Sequence, residues 1–344
     1  MPGGTTAPAL IVAGPTASGK SALALTLAER LGGTIINADS MQVYAELRIL
    51  TARPTPEEEA RVPHALYGVR PAASPGSAAW WRTAALAEMA AARAAGRLPI
   101  LTGGTGLYFA ALTAGLADIP DPGPQARAEA RTLLAELGAP ALHARLSAVD
   151  PVTAARLNPA DGQRIARAWE VWRGTGRGLA AWQARTTQAQ TVPRAEPGGA
   201  AHAPYPDVAR SPAPWRFTAL LLDPPRDALR AAIAGRFAAM LQAGAVDEVR
   251  ALLAQHLDPA LPAMRAHGVP ELAAFLRGER SLAEAARRAE LVTGQYTKRQ
   301  ATWFRHHDLA DTGATHTIHA RFADAAQFSE RKLAEIIAFV QAAG

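Results

Sequence analysis

The sequence predicts an α/β protein: a parallel sheet flanked by helices and interrupted by a helical insertion. Three observations carry this. A short apolar run, Ala9-Leu10-Ile11-Val12-Ala13, leads into a glycine-rich turn and then a segment with helical periodicity. Strand-like and helix-like stretches alternate from there to residue 101. From about 118 to 186 the strand pattern disappears and only helical character remains.

Each element has a local reason. Residues 9–13 are apolar throughout, as a strand buried on both faces must be. A helix from about Ser21 to Leu31 stops at Gly32-Gly33. Thr34-Ile35-Ile36-Asn37-Ala38 reads as a second strand, ending at Asp39-Ser40. A helix over 77–95 passes through Gly96 into Leu98-Pro99-Ile100-Leu101, a third strand. This alternation predicts ligands at the carboxyl ends of the strands. Within 118–186, Ile165, Ala168, Trp169 and Trp172 fall on one helix face. Residues 193–214 are rich in Pro, Gly and Ala without a period, a loop or linker. Phe217 to Leu222 returns to strand character, and helices are expected to fill the remainder. The expected organisation is a core in two parts, 1–117 and 207–344, with a helical insertion and linker over 118–206.

Composition narrows the function. The 344 residues are 49% apolar and 19% charged, an ordinary globular balance. The absence of cysteine excludes a disulfide scaffold and a thiolate metal site. No stretch has the pattern of a signal peptide or a membrane span, so a cytoplasmic protein without a membrane partner is expected. Net charge is +6, a mild bias toward a polyanion. Lysine occurs only at positions 20, 298 and 332, against 33 arginines. Two of those lysines lie in the motifs below, where an ammonium and a guanidinium are not interchangeable.

Gly14-Pro15-Thr16-Ala17-Ser18-Gly19-Lys20-Ser21 is a complete G-x-x-x-x-G-K-S phosphate-binding loop between a strand and a helix. Its backbone N–H groups and the helix N-terminus would cradle a diphosphate, Lys20 would neutralise it, and Ser21 would ligate Mg²⁺. Read alone, the loop says nucleotide, ATP above all. Asp39, at the end of the second strand, is a candidate Mg²⁺ ligand or general base, and equally an N-cap for a following helix. Gly103-Gly104-Thr105-Gly106-Leu107-Tyr108 closes the third strand, either as a ligand-approach turn with Thr105 as hydroxyl donor or as a plain strand-to-helix turn. No carboxylate ends that strand to hold the metal of a nucleotide hydrolase. Asp223, after the 217–222 strand, is the weaker metal candidate. Gln163-Arg164-Ile165-Ala166-Arg167 presents a basic ridge over an apolar stripe, a phosphate contact or a solvated face. Tyr296 to Arg305 mixes cations with aromatics, fit for RNA or for an amphipathic helix with a buried Trp303-Phe304 edge. Arg236, unaided, reads as a surface cation.

Taken together these segments resemble the tRNA dimethylallyltransferases, or tRNA isopentenyltransferases. The matching stretches are GPTASGKS (14–21), DSMQVY (39–44), Pro63-His64, GGTGLY (103–108), NPADGQRIARAWEV (158–171), Arg236-Phe237 with Met240-Leu241, and KRQATWFR (298–305). They span most of the chain in the family's order. Departures are His267, Val269 and Pro270 in 266–271, Thr297 for the usual Ala, and a longer linker over 187–214. The resemblance implies a P-loop NTPase-like core. It implies transfer of a dimethylallyl group from dimethylallyl diphosphate, with Mg²⁺, to N6 of adenosine 37 in the anticodon stem-loop of tRNAs reading UNN codons, by a monomer. By motif, Asp39 would take the N6 proton and help place Mg²⁺ with Ser21. Thr105 would hydrogen-bond the bridging oxygen, and Lys20 and Arg236 would stabilise departing diphosphate. Asp39, Ser40, Met41, Gln42, Thr105, Arg127, Gln163 to Arg167, Lys298, Arg299, Gln300, Trp303 and Arg305 would contact tRNA. The chain lacks any Asp-Asp pair, the signature by which terpenoid-type prenyltransferases hold diphosphate. The rival readings are a P-loop small-molecule kinase or ATPase, which needs no tRNA, and a non-catalytic RNA-binding protein.

Overall fold

The computed structural model describes residues 6–184, 213–322 and 330–343. Six strands run in chain order: β1 (Ala7–Ala13), β2 (Gly33–Asn37), β3 (His64–Ala65), β4 (Leu98–Gly103), β5 (Trp215–Leu222) and β6 (Thr315–Ile318). They form one sheet in the order β3-β2-β4-β1-β5-β6, parallel throughout. Two strands were not expected. β3 is too short to carry a period, and β6 is an edge strand of sequence Thr-His-Thr-Ile, where helix was expected. β1 is central, paired to β4 and β5, so the loop that follows it emerges in the middle of the carboxyl edge.

Side chains alternate across the sheet. Leu10 and Val12 face one layer, with α1 (Lys20–Leu31) and α12 (Glu330–Ala343). Ala9, Ile11 and Ala13 face the other, with α3 (Ala78–Ala94) and α4 (Gly106–Thr113). In that second layer Trp81 is fully buried, stacks on Tyr108 at 4.2 Å and donates its indole N–H to the Asn37 carbonyl at 2.7 Å. Truncating such a side chain costs about 3–5 kcal/mol, and here it would also release the end of β2. A third cluster joins Val43, Tyr44 and Leu47 to helices Arg226–Gln242 (α8), Ala245–Leu253 (α9), Val269–Leu276 (α10) and Leu282–Arg305 (α11). There Glu248 accepts from the backbone N–H groups of Arg48, Ile49 and Leu50 at 2.6–2.9 Å, pinning the turn after β2.

The chain divides into two compact units, Met1–Ala114 with Pro212–Gly344, and Gly115–Ser211. The chain leaves and re-enters the first unit at adjacent points, Ala213 N–H donating to Leu112 O at 2.8 Å. In the second unit α5 (Gly123–Val149) breaks at Gly138 (φ 75°), with Pro140 just after. It packs on α6 (Pro151–Ala154) and α7 (Gly162–Thr175) around Ile165, Ala168 and Trp169. The Pro-rich linker lies almost wholly outside the described residues.

Candidate active site

Between β1 and α1 the chain turns through Gly14 to Gly19, and Ala17 sits at φ 66° and Gly19 at φ 91°. A Cβ on Gly19 would meet the Phe322 carbonyl oxygen at 1.6 Å, so the position demands glycine. The segment after β6 backs the loop. Phe322 N–H donates to Ser18 O at 3.0 Å and Arg321 Nε to Ala17 O at 2.8 Å. No acidic residue occupies the first turn of α1, whose N-terminus faces the loop's concavity.

A cavity of about 570 Å³ opens there, lined by Lys20, Ser21, Arg53, Thr102, Arg236 and Arg321 among others. Glu58 is its one carboxylate among the described residues, and Glu58 is engaged in capping α2 (Pro56–Arg61). Among the described residues Lys20 Nζ reaches only the Pro15 carbonyl, at 3.4 Å. Burial lowers the Lys20 ammonium to about 8; Asp39 counteracts this and Arg236 adds to it. Burial likewise lowers Arg236, with Asp39 raising it and Arg321 lowering it. Arg236 is therefore not the surface cation its neighbours in sequence suggest: helix α8 turns it into the cavity. The Thr102 and Ser18 hydroxyl oxygens are buried with no hydrogen-bond partner among the described residues.

Asp39 stands on a rigid turn. The fully buried Asn37 side chain accepts from Asp39 N–H at 2.8 Å and donates to Asp39 O and Leu66 O, both at 3.0 Å. Asp39 Oδ1 accepts from Met41 N–H at 2.9 Å. No helix starts here, so the N-cap reading fails: the carboxylate closes a two-residue turn and keeps Oδ2 uncommitted. Ser40 N–H donates to Thr105 Oγ1 at 3.0 Å, so the two predicted motifs meet directly. Beside them lie Tyr296, whose phenol burial raises to about 12, and His267, edge-on to Tyr296 at 4.8 Å and lowered by burial.

Not every predicted contact faces outward. Gln42 is 9% exposed and donates to Thr51 O and Ala52 O at 2.9 Å, shaping the turn before Arg53. Gln300 is 4% exposed, with its amide spent inside the protein. Ile165 and Ala166 are buried in the core of the second unit. These four side chains are packed inside the protein. Ser40 and Met41 are half-buried. Lys298 and Arg305 line a second cavity of about 700 Å³ with Asp223, Arg226, Arg230 and Arg287. Asp223 therefore lies away from the lining of the phosphate-loop cavity, 4.0 Å from His319. Arg299 sits over the Tyr296 ring, and Trp303 stacks on His307 at 4.2 Å while covering Gly106. On the second unit Gln163, Arg164 and Arg167 are exposed, Arg164 paired to Asp161 and Arg167 to Glu170, and Arg127 pairs with Asp121.

The residues missed from sequence are Asn37, Arg53, Thr102 and Arg321, whereas Tyr296 opens the aromatic and basic segment singled out above. Asn37 alone carried a signal, a polar residue closing an apolar strand.

The sequence profile of the IPP transferase family matches residues 42–307, and that of isopentenyl transferase residues 8–65. A tRNA dimethylallyltransferase of Granulibacter bethesdensis is 60% identical over 334 residues, 97% of this chain and 98% of that protein. The crystal structure of full-length tRNA isopentenylpyrophosphate transferase from Bacillus halodurans superposes with a TM-score of 0.64 at 29% identity, over 98% of this chain and 97% of that one. A eukaryotic dimethylallyltransferase, 22% identical over 94% of this chain and 77% of its own, shares the fold with a TM-score of 0.71. The order of motifs, the sheet that carries them and the match along nearly the whole chain agree: this chain belongs to the IPP transferase family, with the tRNA dimethylallyltransferases.

Proposed function

We propose that the protein transfers the dimethylallyl group of dimethylallyl diphosphate to N6 of adenosine 37 in tRNAs reading UNN codons. The products are N6-(dimethylallyl)adenosine and diphosphate. The observation that carries this reading is the pairing of a half-buried, cation-lined cavity with an uncommitted carboxylate on the adjoining turn. The names of the relatives support it: those proteins act on tRNA and a dimethylallyl group.

In the reaction the N6–C1 bond forms, the C1–O bond to diphosphate breaks, and an N6 proton passes to Asp39. An exocyclic adenine amine is a weak nucleophile, so alignment and leaving-group stabilisation must supply most of the acceleration. Lys20 and Arg236 meet the departing charge in a site of reduced dielectric, where each interaction exceeds its worth in water. Thr105, fixed by Ser40 N–H, offers its hydroxyl to the bridging oxygen. Adenine must leave its stack to reach Asp39, which an anticodon loop permits.

The residues fit Mg²⁺ bound in the manner of phosphate sites, with few protein donors and the rest from phosphate and water. Ser21 and Asp39 would hold it, and the unpartnered Thr102 hydroxyl lies in the same lining. No cluster of three acidic or imidazole ligands exists among the described residues, so a cage built wholly from protein is not on offer. Bound there, Mg²⁺ would neutralise charge on the diphosphate.

No helix among the described residues is long and apolar enough to cross a membrane, and we place the protein in the cytoplasm as a monomer. Sedimentation showing a stable dimer at assay concentration would overturn the monomer. For the activity, purified protein is incubated with Mg²⁺, labelled dimethylallyl diphosphate and unmodified tRNA. Label entering the RNA as N6-(dimethylallyl)adenosine is the expected result. Turnover of ATP with no label transferred would replace this reading with the kinase one.

A further inference from the structure

Gln300 sits on the inward face of α11 beside Thr297 and Phe304, 4% exposed, where a motif of RNA-facing cations would not place it. Its Oε1 accepts from Thr16 N–H at 2.9 Å and from Thr16 Oγ1 at 3.2 Å. Its Nε2 donates to Gly104 O at 2.9 Å. The Tyr296 hydroxyl lies against both Gln300 and Thr105. A primary amide has two acceptor sites and two N–H donors. Thr16 fills both acceptor sites and Gly104 takes one donor, so three of the four hydrogen-bonding positions of the amide are spent inside the protein. The orientation of the amide is also fixed, because only oxygen can accept from a backbone N–H and only nitrogen can donate to a carbonyl.

The two partners matter more than the count. Thr16 belongs to the phosphate loop, and Gly104 immediately precedes Thr105. A Cβ at residue 104 would lie 2.2 Å from Gln300 Nε2, so any side chain there displaces the amide. We propose that Gln300 is a positioning residue. It holds the phosphate loop at a fixed separation from the Thr105 turn, so that the cradle for the leaving group and the hydroxyl for its bridging oxygen act on one diphosphate. The inference rests on the transfer reading above.

The test uses full-length protein already shown to transfer label; a wild type without transfer would refute the functional reading and not this one. Gln300→Met keeps the volume and removes the amide, and Gly104→Ala drives a methyl group into it. A misplacement of about 1 Å between reacting groups costs about 10²-fold. Each variant should therefore lose roughly 10- to 100-fold in kcat with KM for tRNA within about twofold of wild type. The double variant should lose less than the product of the two, because both open the same clamp. Thermal unfolding identifies any variant that does not fold, and the remaining single variant then carries the kcat and KM test. A raised KM for tRNA with kcat retained would make Gln300 an RNA contact and overturn the proposal. Multiplicative effects in the double variant would overturn it as well.

Discussion

Lys20 and Arg236 sit half-buried in one cavity with no carboxylate among the described residues bonded to either, whereas Arg164 and Arg167 stand exposed on α7, each paired to a carboxylate three residues away. The pairs on α7, at 3.3 and 3.0 Å, are worth about 0–1 kcal/mol apiece in water. They exchange readily for another anion. The cavity cations are half-buried and have no acidic partner among the described residues, an unfavourable state that a bound anion would relieve. On the function proposed above, the difference would separate a site that stabilises charge developing in a reaction from a surface that recognises charge already present.

Substitutions should divide along that line, with the largest effects in the first unit. Asp39→Ala removes the proton acceptor and should lower kcat by about 10²–10⁴-fold while tRNA still binds. Single-turnover transfer and a filter-binding assay check the two halves; near-normal transfer would remove Asp39 from the base role. Thr105→Val keeps the shape and loses one donor to the leaving group, for an expected drop of about 10²–10³-fold in kcat. A loss confined to KM for tRNA would make Thr105 an RNA contact only. Arg164→Gln with Arg167→Gln should leave kcat intact and raise KM for tRNA by roughly 3- to 10-fold at moderate salt. The slope of log KM against log salt should fall by about one for each phosphate contact removed. An unchanged slope would make the ridge a solvated face.

Much of this division was legible in the residues. β1, the phosphate loop and α1 follow from an apolar run, two glycines and a helical period, all local signals. β2, β4 and the apolar face of α7 follow in the same way. Arg236 did not: nothing within a turn of it says that α8 packs with its arginine toward Lys20. Gln42 and Gln300 differ in the opposite sense, turned inward where their motifs suggested an outward face. Their motifs marked them as important, but whether a side chain faces RNA or braces a loop depends on partners such as Thr51 or Gly104, 196 residues from Gln300. β6 was missed because an edge strand need not alternate apolar and polar residues. The N-cap alternative for Asp39 was locally reasonable, and was excluded once the turn at Met41 was seen to lead into no helix.

The account turns on Lys20 being a buried ammonium reserved for an anion. Its pKa near 8 in the folded protein lies below the ordinary 10.5. The folded state then holds fewer protons than the unfolded state between those values, so stability rises with pH across that window. Below about 8 the cost of the buried charge is fully present. Lys20→Met should accordingly raise the melting temperature at pH 7 while abolishing transfer.

The most direct measurement is the affinity for dimethylallyl diphosphate with Mg²⁺, by calorimetry, from about pH 7 to pH 9.5. The wild type should bind progressively more weakly above about pH 8, as the free enzyme's Lys20 gives up its proton, and Lys20→Met should bind weakly with no such dependence. Wild-type affinity that stays level through that range, or Lys20→Met binding as tightly as wild type, would contradict the claim that this lysine is the cation held for the leaving group.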